Sequence, residues 1–329
     1  MHCELVVPGL FTAPSAGRLP AAELLIARGR CTGGPSRGLE EWLHDAFALG
    51  DEPLPAGALT LLAAGGEPAG DSWSRADPVH LRLMRDRLVL VPAAALRVTS
   101  GEAEALCDAL SRHFGERLAL QVIDAERWVA RTPPALVFGS APPLALAGRD
   151  VALAMPANTA AHQLLNEAQM VLHSHPLNEA REARGEPAIN SIWLWGAGRL
   201  ASIDAPSWHS VSAAEPLALG LARAAGVRHR TLPASGVAWL DRMPEEGRHL
   251  VVLDALRAPL ALSETADYHE ALARLERDWF APLLAALRDG RIGMVTINVP
   301  DAGECVACET IRGDLRRFWR RPKTLEHYA

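Results

Sequence analysis

Cysteine, arginine and histidine are the residue types whose spacing in this chain could do chemistry. Cys305-Val306-Ala307-Cys308 forms a Cys-x-x-Cys pair. Such a pair holds zinc when two further ligands join it, and it exchanges disulfides when it opens a helix after a strand. Gly303-Glu304 ahead of it and Glu309 behind it read instead as a turn between two strands, with incidental cysteines. Completion of a zinc site by Cys3 or Cys31 is the alternative. The segment Arg312, Arg316, Arg317, Arg320, Arg321 and Lys323 encloses Phe318 and Trp319, a mixture able to hold single-stranded nucleic acid. Such a tail more often packs its aromatics on the protein body and leaves its arginines in water, so nucleic acid is not the expected partner. His173 and His175 are two residues apart and share no helix face, which argues against a metal pair. The hydroxyl of Ser36, in Gly33-Gly34-Pro35-Ser36-Arg37, reads first as a helix N-cap.

The elements that must position these groups follow from the hydrophobic pattern. Glu4 to Leu10 is a short apolar run fit for a buried parallel strand. Pro20 opens a helix that Gly29 stops, and a second helix carries Leu39, Trp42, Leu43 and Phe47 on one face. Thr99 and Glu102 start a helix running from Ser100 to Phe114. Short apolar runs at Arg87–Pro92, Leu118–Ile123 and Ala135–Phe138 surround it. Thr159 to His173 is helical up to Pro176, and Asn190 to Trp195 is a buried strand with Trp193 and Trp195 in the core on both faces. His249–Asp254 and Met294–Val299 are strands, and Tyr268–Leu287 is a long amphipathic helix with a kink at Pro282. Strands alternating with helices at both ends of the chain imply one parallel sheet interrupted by an α+β module.

Composition excludes several classes. The chain has 329 residues, 49% apolar and 22% charged, enough for a large core and inconsistent with disorder. Lys323 is the single lysine among 33 basic residues, a bias typical of a GC-rich coding sequence, and the net charge of −6 opposes a generally basic surface. The five cysteines are scattered, unlike a secreted disulfide framework. The first residues lack the pattern of a signal peptide and no apolar run is long enough to span a membrane, so a cytoplasmic protein is expected.

One stretch is more specific. Leu165-Asn166-Glu167-Ala168, His175-Pro176-Leu177-Asn178-Glu179-Ala180-Arg181, Arg184-Gly185-Glu186-Pro187-Ala188-Ile189-Asn190 and Ile192-Trp193-Leu194-Trp195-Gly196-Ala197-Gly198 follow one another in order. Together they resemble the archaeal-type cofactor-independent phosphoglycerate mutases of the alkaline phosphatase superfamily, and within that superfamily the bacterial RpfE-type regulatory proteins. Gly70-Asp71-Ser72-Trp73-Ser74-Arg75-Ala76-Asp77 is similar to the segment that begins the family's inserted domain. The resemblance implies an alkaline-phosphatase-like, three-layer α/β/α core with a parallel-rich sheet. It places this core in residues 1–70 and 156–329, interrupted by a small α+β domain in residues 71–155.

The resemblance also implies a chemistry: two divalent metals, manganese or magnesium, and a serine that relays a phosphoryl group. Ser36 falls near the nucleophile position. Asp71 and Arg75 fall on the substrate side, and His175, Asn178 and Arg181 lie in the matching motif, where an architectural role is expected of them. The metal ligands do not carry over. The family's first strand ends in Asp-Gly, where this chain has Pro8-Gly9; its last strand ends in Asp-His, where this chain has Thr296-Ile297-Asn298-Val299. The Asp-x-x-x-His stretch falls on Leu260–Glu264, which contains neither residue, although a shifted register would bring in Asp254 or Asp301. The expectation is therefore a catalytically degenerate, phosphoglycerate mutase-like protein without cofactor. It would serve as a regulatory or ligand-binding protein for a small phosphorylated metabolite or a protein partner. The alternative is an active, metal-dependent phosphotransferase or mutase.

Overall fold

Leu5-Val6-Val7 and Leu250-Val251-Val252-Leu253 are apolar at successive positions, which suits strands covered on both faces. The computed structural model shows both at the centre of a mixed sheet. It describes all residues except 13–16, 86, 134–135, 137–138, 140, 157, 205, 243–245, 303–306 and 329. Most of the expected strand at Ala135–Phe138, together with Cys305, lies outside the described residues.

In chain order the strands are β1 (His2–Val6), β2 (Arg30–Thr32), β3 (Trp73–Met84), β4 (Arg87–Pro92), β5 (Ala119–Val122), β6 (Trp128–Arg131), β7 (Ser191–Gly198), β8 (Ser210–Ala213), β9 (Arg228–Thr231), β10 (Arg248–Val252), β11 (Met294–Asn298) and β12 (Ala307–Ile311). The helices are α1 (Pro20–Arg28), α2 (Leu39–Ala46), α3 (Ala56–Ala63), α4 (Ala93–Leu96), α5 (Ser100–Phe114), α6 (Thr159–His173), α7 (Pro176–Ala183), α8 (Pro216–Ala224), α9 (Gly236–Arg242), α10 (Arg257–Ala261), α11 (Thr265–Leu275) and α12 (Ala281–Asp289). Among the described residues no helix is long and apolar enough to cross a membrane.

The chain divides into two units, one of residues 1–48 and 203–329, the other of residues 49–202. The first holds a sheet of order β2-β12-β11-β1-β10-β8-β9. The strands from β11 to β9 run parallel, and β12 pairs antiparallel with both β11 and β2. This is the parallel-rich, mixed α/β core that the alternation of strands and helices predicts. Cys3, Leu5 and Val7 point into a cluster with Leu25, Trp279, Phe280 and Leu283, so α1 and α11–α12 cover that face.

The expected kink in the long helix is a π-helical turn over Glu276–Phe280, closed by Ala281 N–H bonding Glu276 O five residues back. It sits directly ahead of Pro282, whose missing N–H and bulky ring forbid a regular turn. Glu276 on this turn accepts from Ala21 N at 2.6 Å and Ala22 N at 3.2 Å. It thereby caps α1, whose own N-cap residue, Leu19, has no side-chain acceptor.

The second unit is larger than the 71–155 insertion that the sequence suggests. Its sheet has the path β4-β3-β6-β5, with β7 also paired to β3, all antiparallel. The Asn190–Trp195 run is thus buried, as expected, but in this sheet rather than in the parallel one, because Ala76–Val79 supplies its partner edge. α5 and α6 pack over it through Leu106, Leu110, Leu165, Ala168 and Leu172. The α5 boundaries match the sequence reading, and Thr99 and Glu102 form the anticipated reciprocal cap. Pro176 does not simply terminate α6; it also occupies the first turn of α7, where its missing N–H is harmless.

Cys308 lies in β12 opposite Cys31 in β2, and the two form a disulfide across 277 residues of chain. This replaces the reading of Cys308 as an incidental turn cysteine, and it removes Cys31 as a zinc ligand. Phe318 and Trp319 also depart from expectation. They are 77% and 67% exposed; Arg316, Arg320 and Arg321 are exposed as expected, although Arg317 donates to Arg28 O at 3.2 Å and Arg320 to Gly29 O at 2.6 Å.

Two measurements check this account. A Cβ at Gly57 in α3 would meet the Ser74 backbone of β3 at 2.4 Å, so Gly57→Ala is expected to lower stability by ~1–3 kcal/mol. A urea midpoint equal to that of the unmodified protein would show that α3 does not pack this closely. Thiol titration of the unfolded, unreduced protein should find Cys31 and Cys308 unreactive until a reductant is added.

Candidate functional site

In open α/β sheets the loops after the carboxyl ends of parallel strands form the usual ligand crevice. Here the register of β1 against β11 sets Val6 beside Asn298, so that Gly9 and Asp301, three residues beyond each, come together. Gly9 has φ +85°, a conformation that glycine adopts without strain, and its N–H donates to both carboxylate oxygens of Asp301 at 2.9 and 2.8 Å. Thr12 Oγ1 donates to the same carboxylate at 3.2 Å, and Tyr268 OH donates to Gly9 O at 2.7 Å.

Ser36 is exposed at this edge. Its hydroxyl donates to Asp301 O at 2.8 Å while Arg37 N donates to Pro300 O at 2.9 Å. It therefore does not cap α2; Gly38 stands at that position, and Glu41 accepts from its N–H at 3.3 Å. Following β10, Arg257 donates to Glu40 at 2.6 Å. Burial alone would lower the pKa of this guanidinium, but Glu40, Glu215 and Asp254 around it outweigh burial and raise it. The edge thus carries a serine hydroxyl and an acid-paired arginine.

A two-metal centre needs several oxygen and imidazole donors converging on each ion. Pro8 offers none at the end of β1. Asp301 presents both oxygens to the Gly9 amide, and Glu40 is taken by Arg257. Among the described residues no three His, Cys, Asp or Glu side chains cluster as a metal site would require. The described residues do not fit the metals that the family resemblance implies.

The other five candidates belong to the second unit, and the structure does not gather them into one pocket. Asp71 lies 3.6 Å from Arg131 with both side chains about half exposed. Arg75 is buried, bonded to Asp77 at 2.7 and 3.0 Å, and stacked 5.3 Å over Trp195. Burial pushes the Asp77 carboxyl above the usual range even though Arg75 and the Trp195 indole, 2.8 Å away, favour its charged form. His175 caps α7 by accepting from Leu177 N at 3.2 Å. Asn178 donates to Leu172 O and Ile189 O and accepts from Ile189 N, all within 2.9 Å. Arg181 is 1% exposed and donates to Leu96 O, Pro187 O and Glu102 at 2.6–2.9 Å. Burial raises the Glu102 pKa, but hydrogen bonds from Thr99 and Arg181 overcome it and hold the carboxyl below its ordinary value. Arg75, Asn178 and Arg181 thus spend their hydrogen bonds on protein groups.

Sequence reading named Asp301 as an outside possibility and missed Arg257, Tyr268 and Asp77 as partners. Asp77 carries a usable signal, since an Asp two residues from an Arg on one strand shares its face. Nothing local marks Arg257 or Tyr268, whose partners lie more than 200 residues away.

No family model matches the chain. The probable 2,3-bisphosphoglycerate-independent phosphoglycerate mutase of Geobacter sulfurreducens is 29% identical over 127 residues, which are 36% of this chain and 31% of that protein. The chain thus matches about a third of the length of this curated relative. Among solved structures, the PH0037 protein of Pyrococcus horikoshii superposes with a TM-score of 0.57 over 94% of this chain and 85% of that one, at 15% identity, a likeness of fold. The cofactor-independent phosphoglycerate mutase of Thermoplasma acidophilum covers 95% of this chain and 90% of its own at 17% identity, with a TM-score of 0.44, below the level at which a shared fold follows.

The buried Arg181–Glu102 contact sets a stability prediction. Arg181→Ala leaves two backbone carbonyls without their donor and takes from Glu102 one of the partners it shares with Thr99 and Arg184, and should cost ~1–3 kcal/mol. Urea unfolding with an unchanged midpoint would contradict the architectural role.

Proposed function

We propose that this protein is a phosphoglycerate mutase-like member of the alkaline phosphatase superfamily that binds a small phosphorylated metabolite without metal-dependent phosphoryl transfer, in a regulatory role of the RpfE type. The observation that carries the reading is the chemistry at the end of β1. Pro8 stands where the resemblance calls for a metal-binding Asp, and the carboxylate that the register brings to this edge, Asp301, is turned onto the Gly9 amide. Both oxygens share the single Gly9 N–H, and drawing the carboxylate onto a cation would leave that N–H unpaired. The relative from Geobacter sulfurreducens supports the family half of the reading by its name.

What persists at this edge suits binding better than turnover. Ser36 offers an exposed hydroxyl, while the guanidiniums of Arg37 and Arg257 are paired to Asp45 and Glu40, carboxylates that an anionic ligand would displace. Hydroxyl and guanidinium groups bind phosphate through charge-assisted hydrogen bonds without any metal.

The active-enzyme alternative has one observation in its favour, the exposed Ser36 hydroxyl at the carboxyl edge. Assay of 3-phosphoglycerate isomerisation and of generic phosphatase activity, with and without manganese, separates the two readings. No turnover above background is expected under either condition. Manganese-dependent turnover abolished by Ser36→Ala would overturn the binding-protein reading. In parallel, 3-phosphoglycerate at a hundredfold excess over its Kd should stabilise the fold by about 2.7 kcal/mol, seen as a rise in Tm.

A further inference from the structure

The segment after β12 builds a cavity of about 600 Å³ against the end of α1 and the start of β2, entirely within the first unit. Arg30, Arg320, Arg321, Lys323 and His327 line it together with Trp319. No Asp or Glu is among its described lining residues. Arg30 sits opposite Glu309 in the strand register, and Arg320 is hydrogen bonded to Gly29 O. A carbonyl contact orients a guanidinium but removes no charge. Arg321 has no hydrogen-bond or ion-pair partner among the described residues, and Lys323 Nζ lies against His327 Nε2. Basic groups gathered around one hollow with no carboxylate in its described lining make a local positive potential that attracts an anion.

The α1 carboxyl terminus explains part of the arrangement. Its exposed carbonyls take Arg317 and Arg320, as a helix end favours. Arg321 and Lys323 are beyond that account. Trp319 is the second unexplained feature: an indole 67% exposed, beside the basic groups, where burial would be the default. Phe318 holds it edge to face, with ring centroids 5.3 Å apart. An exposed aromatic plane next to a basic cavity is the recognition chemistry of a base joined to phosphates. The volume fits one nucleotide rather than a strand, since small-ligand sites run from roughly 300 to 1,000 Å³.

We propose that this cavity binds a nucleoside polyphosphate, with the phosphates on Arg321 and Lys323 and the base stacked on Trp319. The site is separate from the carboxyl edge of the sheet and does not depend on the function proposed there. Calorimetric titration of the full chain with ATP, tripolyphosphate and a short oligothymidylate tests it, in buffer of low ionic strength so that screening does not mask the charges. ATP should bind more tightly than tripolyphosphate. Arg321→Ala combined with Lys323→Gln should weaken ATP binding by about tenfold or more. Trp319→Ala should weaken ATP binding by roughly fivefold or more and leave tripolyphosphate unchanged. All three side chains are exposed, so the variants should keep the Tm of the unmodified protein, which is measured alongside. Three results would overturn the proposal: no ATP binding at millimolar concentration, equal binding of tripolyphosphate with no effect of Trp319→Ala, or tighter binding of oligothymidylate than of ATP.

Discussion

The parallel pairing of β1 with β10 on one edge and β11 on the other is the constraint on which the first unit depends. A strand hydrogen bonded on both edges and covered on both faces has no freedom to slip. A shift of one residue would turn Cys3 and Leu5 out of their cluster and drive Glu4 and His2 into it. The same register decides what happens beyond the strand ends. With Val6 set against Asn298, Gly9 and Asp301 meet, and Ser36 follows because its hydroxyl bonds Asp301 O. The geometry of the candidate site is a consequence of sheet pairing, so the fold can persist while the chemistry of its edge changes.

Glu4 shows how this sheet tolerates charge inside. It points away from the apolar cluster and is 4% exposed, yet it is matched by Trp208 Nε1 at 2.8 Å, Arg248 Nε at 2.7 Å and Asn298 Nδ2 at 3.2 Å. Asn298 therefore has a structural employment on the last parallel strand, where the resemblance would expect a metal-binding residue. Its amide satisfies Glu4 and Leu5 O together. The second unit follows the same rule. Arg75, Asp77 and Trp195 satisfy one another across β3 and β7, and Asn178 and Arg181 clamp the backbone that leads into β7. A buried polar group left unpaired costs more than its bond contributes, so these sets hold together as units.

Periodicity made the local elements legible. The α5 helix has its cap and its Leu106–Leu110 stripe written in consecutive residues, and the central strands are apolar runs between punctuating Pro and Gly. Partner choice was not legible. Ser191–Gly198 reads as a buried strand whichever sheet receives it, and only the antiparallel match with Arg75–Val79 assigns it to the second unit. The same limit hid the site. His175, Asn178 and Arg181 stand out because they are polar and closely spaced, and their hydrogen bonds go to groups of the protein itself. Arg257 and Tyr268 carry no local mark, because their partners are brought in by the sheet from the far end of the chain.

The segment after β12 shows what pattern reading weighs wrongly. Aromatic residues between arginines are assigned to the protein body because burial of an indole is favourable and exposure of a guanidinium is cheap. Here the balance is reversed by a competing set of acceptors, the carbonyls at the end of α1, which no side chain of that helix satisfies. Arg317 and Arg320 reach Arg28 O and Gly29 O, and Thr310 Oγ1 reaches Leu25 O at 2.8 Å. These bonds hold the segment against the end of α1 through Arg317 and Arg320, with Phe318 and Trp319 exposed on the turn between them. The disulfide between Cys31 and Cys308 ties β2 to β12 at the root of the segment, so the outward aromatics sit on an anchored base. Exposure of Trp319 thus accompanies a segment that is tied down by its arginines, and an aromatic plane carried on an anchored backbone has less conformational entropy to lose when a planar ligand stacks on it.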